Sequence, residues 1–171
     1  MEYKAPPNPR EFVLASRRVL LDPVTGLPGP ALLVDRIEMA LARARRERHG
    51  IAVYVLYDVV GTPGPGIREM AAQLQSVIRP DDTVSRVTGR TFVVLCNNID
   101  TRADADGVAA RLMDHVGDGC RLGLAMGTAA DDARDLLSAA AYRAVGAFPK
   151  RRMPHDEPVR RTDGEYPQLV A

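Results

Sequence analysis

The chain has only two cysteines in 171 residues, Cys96 and Cys120. Both sit inside apolar runs and read as buried, reduced thiols of a cytoplasmic protein. A disulfide framework or a cysteine metal site would need more of them, at ligand spacing. Histidine is equally sparse: His49, His115 and His155 stand far apart, form no ligand set and read as surface residues. No apolar run approaches the roughly 20 residues of a membrane-spanning helix, and no secretory signal opens the chain. An excess of charge of one sign is also lacking. The 23 Lys and Arg against 22 Asp and Glu leave a formal net charge of +1, so nothing global points to nucleic acid. These absences leave a stand-alone soluble protein as the expectation, long enough for one domain with a full core.

What is present reads as alternating helices and strands. Residues 1–9 are proline-rich and read as a flexible lead, and residues 11–21 as a short helix without the heptads of a coiled coil. Asp22-Pro23-Val24-Thr25-Gly26-Leu27-Pro28-Gly29-Pro30 is a turn-rich break. A long helix over 31–48 follows. Leu33, Ile37, Ala40, Leu41 and Ala44 recur on its core face, Arg43, Arg45, Arg46 and Arg48 crowd its last turns, and Gly50 stops it. Residues 51–57 form an apolar, β-branched run expected of a buried central strand. The Gly/Pro loop over 61–66 leads into an amphipathic helix over 67–78, closed by Arg79-Pro80-Asp81-Asp82. Two alternating runs then flank Thr88-Gly89-Arg90-Thr91, a hairpin in which Gly89 is free to take positive φ. A helix over 101–116, a strand over 121–128 and an Ala-rich helix over 131–148 complete the pattern. The last residues are basic, then mixed and proline-spaced, and read as a flexible tail.

The inner order is βαββαβ, so the expected fold is α+β: a ferredoxin-like core of the nucleotidyl cyclase or palm type, with an extra helix at each end. Strand one is central in such a core, and its C-terminal end meets the hairpin tip. The domain division is 1–21 for the lead, 22–150 for the folded unit and 151–171 for the tail.

Taken together, Asp22-Pro23-Val24-Thr25-Gly26-Leu27-Pro28, the strand ending at Asp58, and Thr88-Gly89-Arg90-Thr91-Phe92 resemble a GGDEF (diguanylate cyclase) domain over residues 21–148. The resemblance implies condensation of two GTP molecules, with divalent ions held by strand-one and hairpin carboxylates. This chain departs from that pattern at several points. Thr88 stands at the first signature glycine, Arg90 at the metal-ligating acid and Thr91 at the following Glu; Gly89 and Phe92 keep their types. A cation where a metal belongs costs several kcal/mol of like-charge repulsion at intermediate dielectric. Arg90 has two readings: a solvated turn residue, or a guanidinium that binds a phosphate directly in place of magnesium. Asp58 also has two readings, a residual metal ligand or a polar strand end in another register. The loop 61–66 has no Asn to read a guanine edge. On the last helix, Ala141, Val145 and Phe148 fall near the family's Asp, Tyr and Lys positions, although Tyr142-Arg143-Ala144 offers another register. Lys150, Arg151 and Arg152 read as a solvated basic end.

One motif is kept. Arg79 and Asp82 form Arg-x-x-Asp, with residues 83–87 between Asp82 and the turn. The resemblance makes this the inhibitory-type site for cyclic di-GMP, with Arg on guanine edges and phosphates and Asp on the guanine amino group. It also reads as a plain helix terminus. The expectation is a catalytically inactive binding domain, with no catalytic residue, no metal and no cofactor. Its partner is cyclic di-GMP or another protein; nucleic acid and membrane are not expected, and the state is monomer or homodimer. Two alternatives are a protein-interaction module without nucleotide, docking through Arg43–Arg48 or the tail, and an active cyclase using Asp58, Asp81 and Asp82.

Overall fold

A computed structural model describes residues 20–58, 66–117 and 119–146. Residues 1–19 of the proposed lead, the loop over 59–65, Phe148, Lys150–Arg152, His155 and the tail lie outside the described residues; Leu21, expected to end a short helix, instead bridges Pro28. The elements are α1 (Pro30–Glu47), β1 (Ile51–Asp58), α2 (Ile67–Val77), β2 (Thr83–Thr88), β3 (Thr91–Asn97), α3 (Arg102–Val116), β4 (Cys120–Gly127) and α4 (Ala133–Ala144). The four strands form one antiparallel sheet in the order β2-β3-β1-β4. The ferredoxin-like βαββαβ core is therefore present, with β1 central and one further helix at each end of it.

Strand periodicity explains how the sheet buries both faces. Ile51, Val53, Val55, Val93 and Leu95 pack against α1 and α4. Ala52, Tyr54, Leu56, Phe92, Val94 and Cys96 pack against α2 and α3. Helices cover both sides, so β1 and β3 read as continuous apolar runs rather than alternating ones. Tyr54 is fully buried and spends its hydroxyl on the carbonyl oxygen of Ala105 at 3.0 Å. Both cysteines are buried and free.

The expected helix faces agree with the packing: Leu33, Ile37, Ala40, Leu41 and Ala44 are the buried residues of α1. Four local expectations need correction. α1 is closed by Arg48 in the left-handed conformation, φ +60°, and not by Gly50. Gly50 serves close approach instead, since a Cβ there would meet the backbone carbonyl of Ile99. β4 begins at Cys120 and ends at Gly127, one residue earlier at each end than expected. α4 spans Ala133–Ala144 rather than 131–148. Asp132 caps its start by accepting from the N–H groups of Arg134 and Asp135, and Gly146 at φ +74° turns the chain out of its end. His49 is half-buried against Asp100 at 3.1 Å, not a bare surface residue.

Candidate functional site

The two sets of residues singled out in the sequence lie at opposite ends of one strand. Asp82 precedes β2 and the hairpin loop follows it, with a six-residue strand between them, about 20 Å at the usual rise per residue. Asp81 and Asp82 are therefore not acids of the hairpin tip, and an active site assembled from Asp58, Asp81 and Asp82 is not what this topology brings together.

At the hairpin end, Gly89 and Arg90 form a two-residue loop, and Gly89 takes φ +48°. A glycine at the first position is what such a loop asks for. A bulge between Arg86 and Thr88 breaks the ladder just before it. Tyr57 pairs with Thr91, which sets the end of β1 beside the loop; Asp58 closes β1 opposite Cys120. The loop and its flanks are Thr88, Gly89, Arg90 and Thr91, followed by buried Phe92, so the hairpin offers no carboxylate to a divalent ion. These residues do not fit a metal. Among the described residues no group of three or more His, Cys, Asp or Glu gathers for one.

The hairpin is tied to the turn over residues 20–29. The Arg86 guanidinium donates to the Asp22 carboxylate at 2.7 Å and to the Gly89 carbonyl oxygen at 2.9 and 2.7 Å. The other Asp22 oxygen accepts from the Thr25 N–H and hydroxyl. Burial pushes the Asp22 carboxyl up, but the bonds from Thr25 and Arg86 outweigh it and hold it below its ordinary 3.8. Sequence reading recognised the turn and missed its partner, because no local pattern links residues 22 and 86.

At the far end, Arg79 is exposed after α2 and its side chain has no partner among the described residues. Asp82 is half-buried. It accepts from the Arg79 N–H at 3.1 Å and from the Asn97 N–H at 2.9 Å, while the Asn97 side chain donates to the Asp81 carbonyl oxygen at 2.6 Å. The carboxylate is thus fixed by backbone donors, and the Cys96 thiol bonds to it as well. The buried thiol of Cys96 registers the local charges. Burial pushes it up and Asp82 adds to that, whereas Arg79 and Arg111 pull it down. Arg111, on the exposed side of α3, is thus within electrostatic reach of that thiol. Its place on an outward helix face carried no signal of this in the sequence. On the other side of Asp82, a cleft of about 280 Å³ is lined by Arg36, Arg43, Thr83 and Asn97 among others.

No sequence model of a known family matches the chain, and no curated protein matches it. Solved structures do. The GGDEF domain of YfiN (TpbB) from Pseudomonas aeruginosa superposes with a TM-score of 0.65 at 24% identity, over 74% of this chain and 87% of that one. The chain has the GGDEF-domain fold. The GGDEF domain of DgcB from Caulobacter crescentus, solved in complex with c-di-GMP, gives a TM-score of 0.61 at 17% identity, covering 77% of this chain and 89% of that one. The diguanylate cyclase SiaD from Pseudomonas aeruginosa, solved with its activator SiaC, gives 0.62 at 20% identity. That match covers 81% of this chain and 62% of SiaD. In this GGDEF fold, the end of β1 and the loop Gly89-Arg90 lie at one end of the hairpin, and Arg79 and Asp82 at the other.

Proposed function

We propose that this GGDEF-fold domain works by binding and not by turnover, and that it binds cyclic di-GMP at Arg79 and Asp82. The observation that carries the loss of turnover is Arg90, a fixed cation in the loop beside the end of β1. A triphosphate with its metal ions needs carboxylates there. Asp58 is the one acid of the sequence expectation left at that end, and a single carboxylate is a poor holder of two ions.

The ligand reading is supported by the arrangement around Asp82. A carboxylate locked by two backbone N–H groups stands ready to accept from a guanine amino group without further ordering cost. The exposed guanidinium of Arg79 supplies fork donors for phosphate or a guanine edge. A structural neighbour, the DgcB domain, was solved with c-di-GMP. A second reading, a module that engages a protein and no nucleotide, draws on the structural duty of Asp82: its two backbone bonds are reason enough for the residue to be there.

Incubation with GTP and either magnesium or manganese, with product quantified by mass spectrometry, tests the first half. No cyclic di-GMP above the blank is expected. Product that disappears in Asp58→Ala would overturn the proposal.

A further inference from the structure

β2 and β3 stop pairing before β3 ends. Their last rung at this end is Thr83 with Leu95, while β3 runs on to Asn97, which pairs with Ile51 on its other side. Continued by two residues, the same register sets Asp81 opposite Asn97. The Arg86 N–H leaves the sheet for the Pro28 carbonyl oxygen, so its partner Phe92 turns its backbone groups away from β2. By alternation Asn97, five residues on, turns its own toward β2. A regular ladder would send the Asn97 N–H to the Asp81 carbonyl oxygen. Here that N–H donates to the Asp82 carboxylate at 2.9 Å, and the Asn97 carboxamide donates to the Asp81 carbonyl oxygen at 2.6 Å in its stead. One rung is replaced by two bonds that each run through a side chain, so the chain at 81 stands off from the sheet.

That offset makes 79–82 a turn and not a continuation of β2. The Asp82 N–H donates to the Arg79 carbonyl oxygen at 3.1 Å, and the Arg79 N–H donates back to the other oxygen of the Asp82 carboxylate at 3.1 Å. Pro80 between them brings a fixed φ and no N–H of its own. Two bonds therefore close the turn on itself, and the two from Asn97 tie it to the sheet. Of the latter, only the carboxamide bond depends on which side chain stands at 97, since every residue but proline carries the N–H. Asn97 is 8% exposed, and burying a carboxamide costs free energy that its hydrogen bond must offset. Asp81 lies at the surface, where water serves a carbonyl oxygen as well. Satisfying that one oxygen is poor reason for a buried amide; fixing the turn is a better one.

We propose that Asn97 is the positioning residue of the Arg79–Asp82 site. This role rests on the reading of that pair as a cyclic di-GMP site. Asn97 acts through the backbone at 81 and 82 and not by touching the ligand. Its carboxamide sets the angle at which the turn leaves the sheet, and with it the Asp82 carboxylate and the root of the Arg79 side chain. A turn that is fixed before the ligand arrives loses little further freedom on binding, which raises affinity.

The test compares the full chain with Asn97→Leu, which keeps the shape and loses the donor. Without ligand, amide hydrogen exchange at Arg79 and Asp82 should become about fivefold faster, the scale of one neutral hydrogen bond. That change should exceed any at Val53 and Val94 in the centre of the sheet. Calorimetric titration with cyclic di-GMP should then give an affinity about fivefold weaker. Asn97→Ala, which removes the amide without adding bulk, should show both effects and serves if the Leu variant does not fold. Unchanged exchange at the turn, or a change no larger than at the sheet centre, would overturn the positioning role. Equal affinities would overturn it too, and would leave the cyclic di-GMP reading standing. No heat with the unaltered protein would overturn that reading itself, and the positioning role with it.

Discussion

Arg79 and Asp82 are separable by substitution because only one of them holds the fold. The Arg79 side chain is exposed and unpartnered among the described residues, so Arg79→Ala should change stability by no more than about 0.5 kcal/mol. Asp82→Ala removes the acceptor of two backbone N–H groups, one of them on buried Asn97. It should cost about 1–3 kcal/mol in urea unfolding. Arg79→Ala is therefore the clean probe of ligand binding. Asp22 makes a second prediction at this scale. Its folded pKa lies below the unfolded value, so ionised Asp22 contributes stability that is complete above about pH 4 and is lost as pH falls through the folded pKa. Asp22→Asn should flatten the acid limb of a stability–pH curve; an unchanged limb would show that the link to Arg86 contributes nothing.

Among the elements, the tightest constraint is where α4 crosses β4. Gly123→Ala would drive a methyl into the backbone of Ala140 and Ala144, atoms that cannot swing aside. The expected loss is about 3 kcal/mol or more, read as a lowered thermal midpoint. The element scale is also where sequence reading did best and where its limits show. The core face of α1 follows from spacing alone, because burial imposes the helical period. The ends do not. Gly50 looked like a helix stop and is a packing glycine, while the residue that turns the chain at the end of α1 is Arg48, whose side chain gives no sign of a left-handed conformation. In α4 the stop signal was present as Gly146, but the Ala-rich run before it masked it.

For the whole molecule, the βαββαβ order fixed which strand is central and brought the end of β1 to the hairpin, as the pattern of apolar runs predicts. The distance between the hairpin and Arg-x-x-Asp was not legible as a separation. Five intervening residues look close in a sequence, and only an extended strand makes them the two ends of the sheet. Long-range pairings such as Asp22 with Arg86, and Asp82 with the Asn97 N–H, also depend on the packed fold, since each partner is unremarkable in its own segment. The resulting molecule has a hairpin loop without a carboxylate and, at the other end of β2, the exposed Arg79 beside the anchored Asp82. Calorimetric titration of cyclic di-GMP into the full chain and into Arg79→Ala tests that division most directly. The account predicts saturable heat with the unaltered protein and a loss of at least about tenfold in affinity with Arg79→Ala, the scale of one charge-assisted contact. No heat with the unaltered protein, or equal binding by the variant, would contradict it.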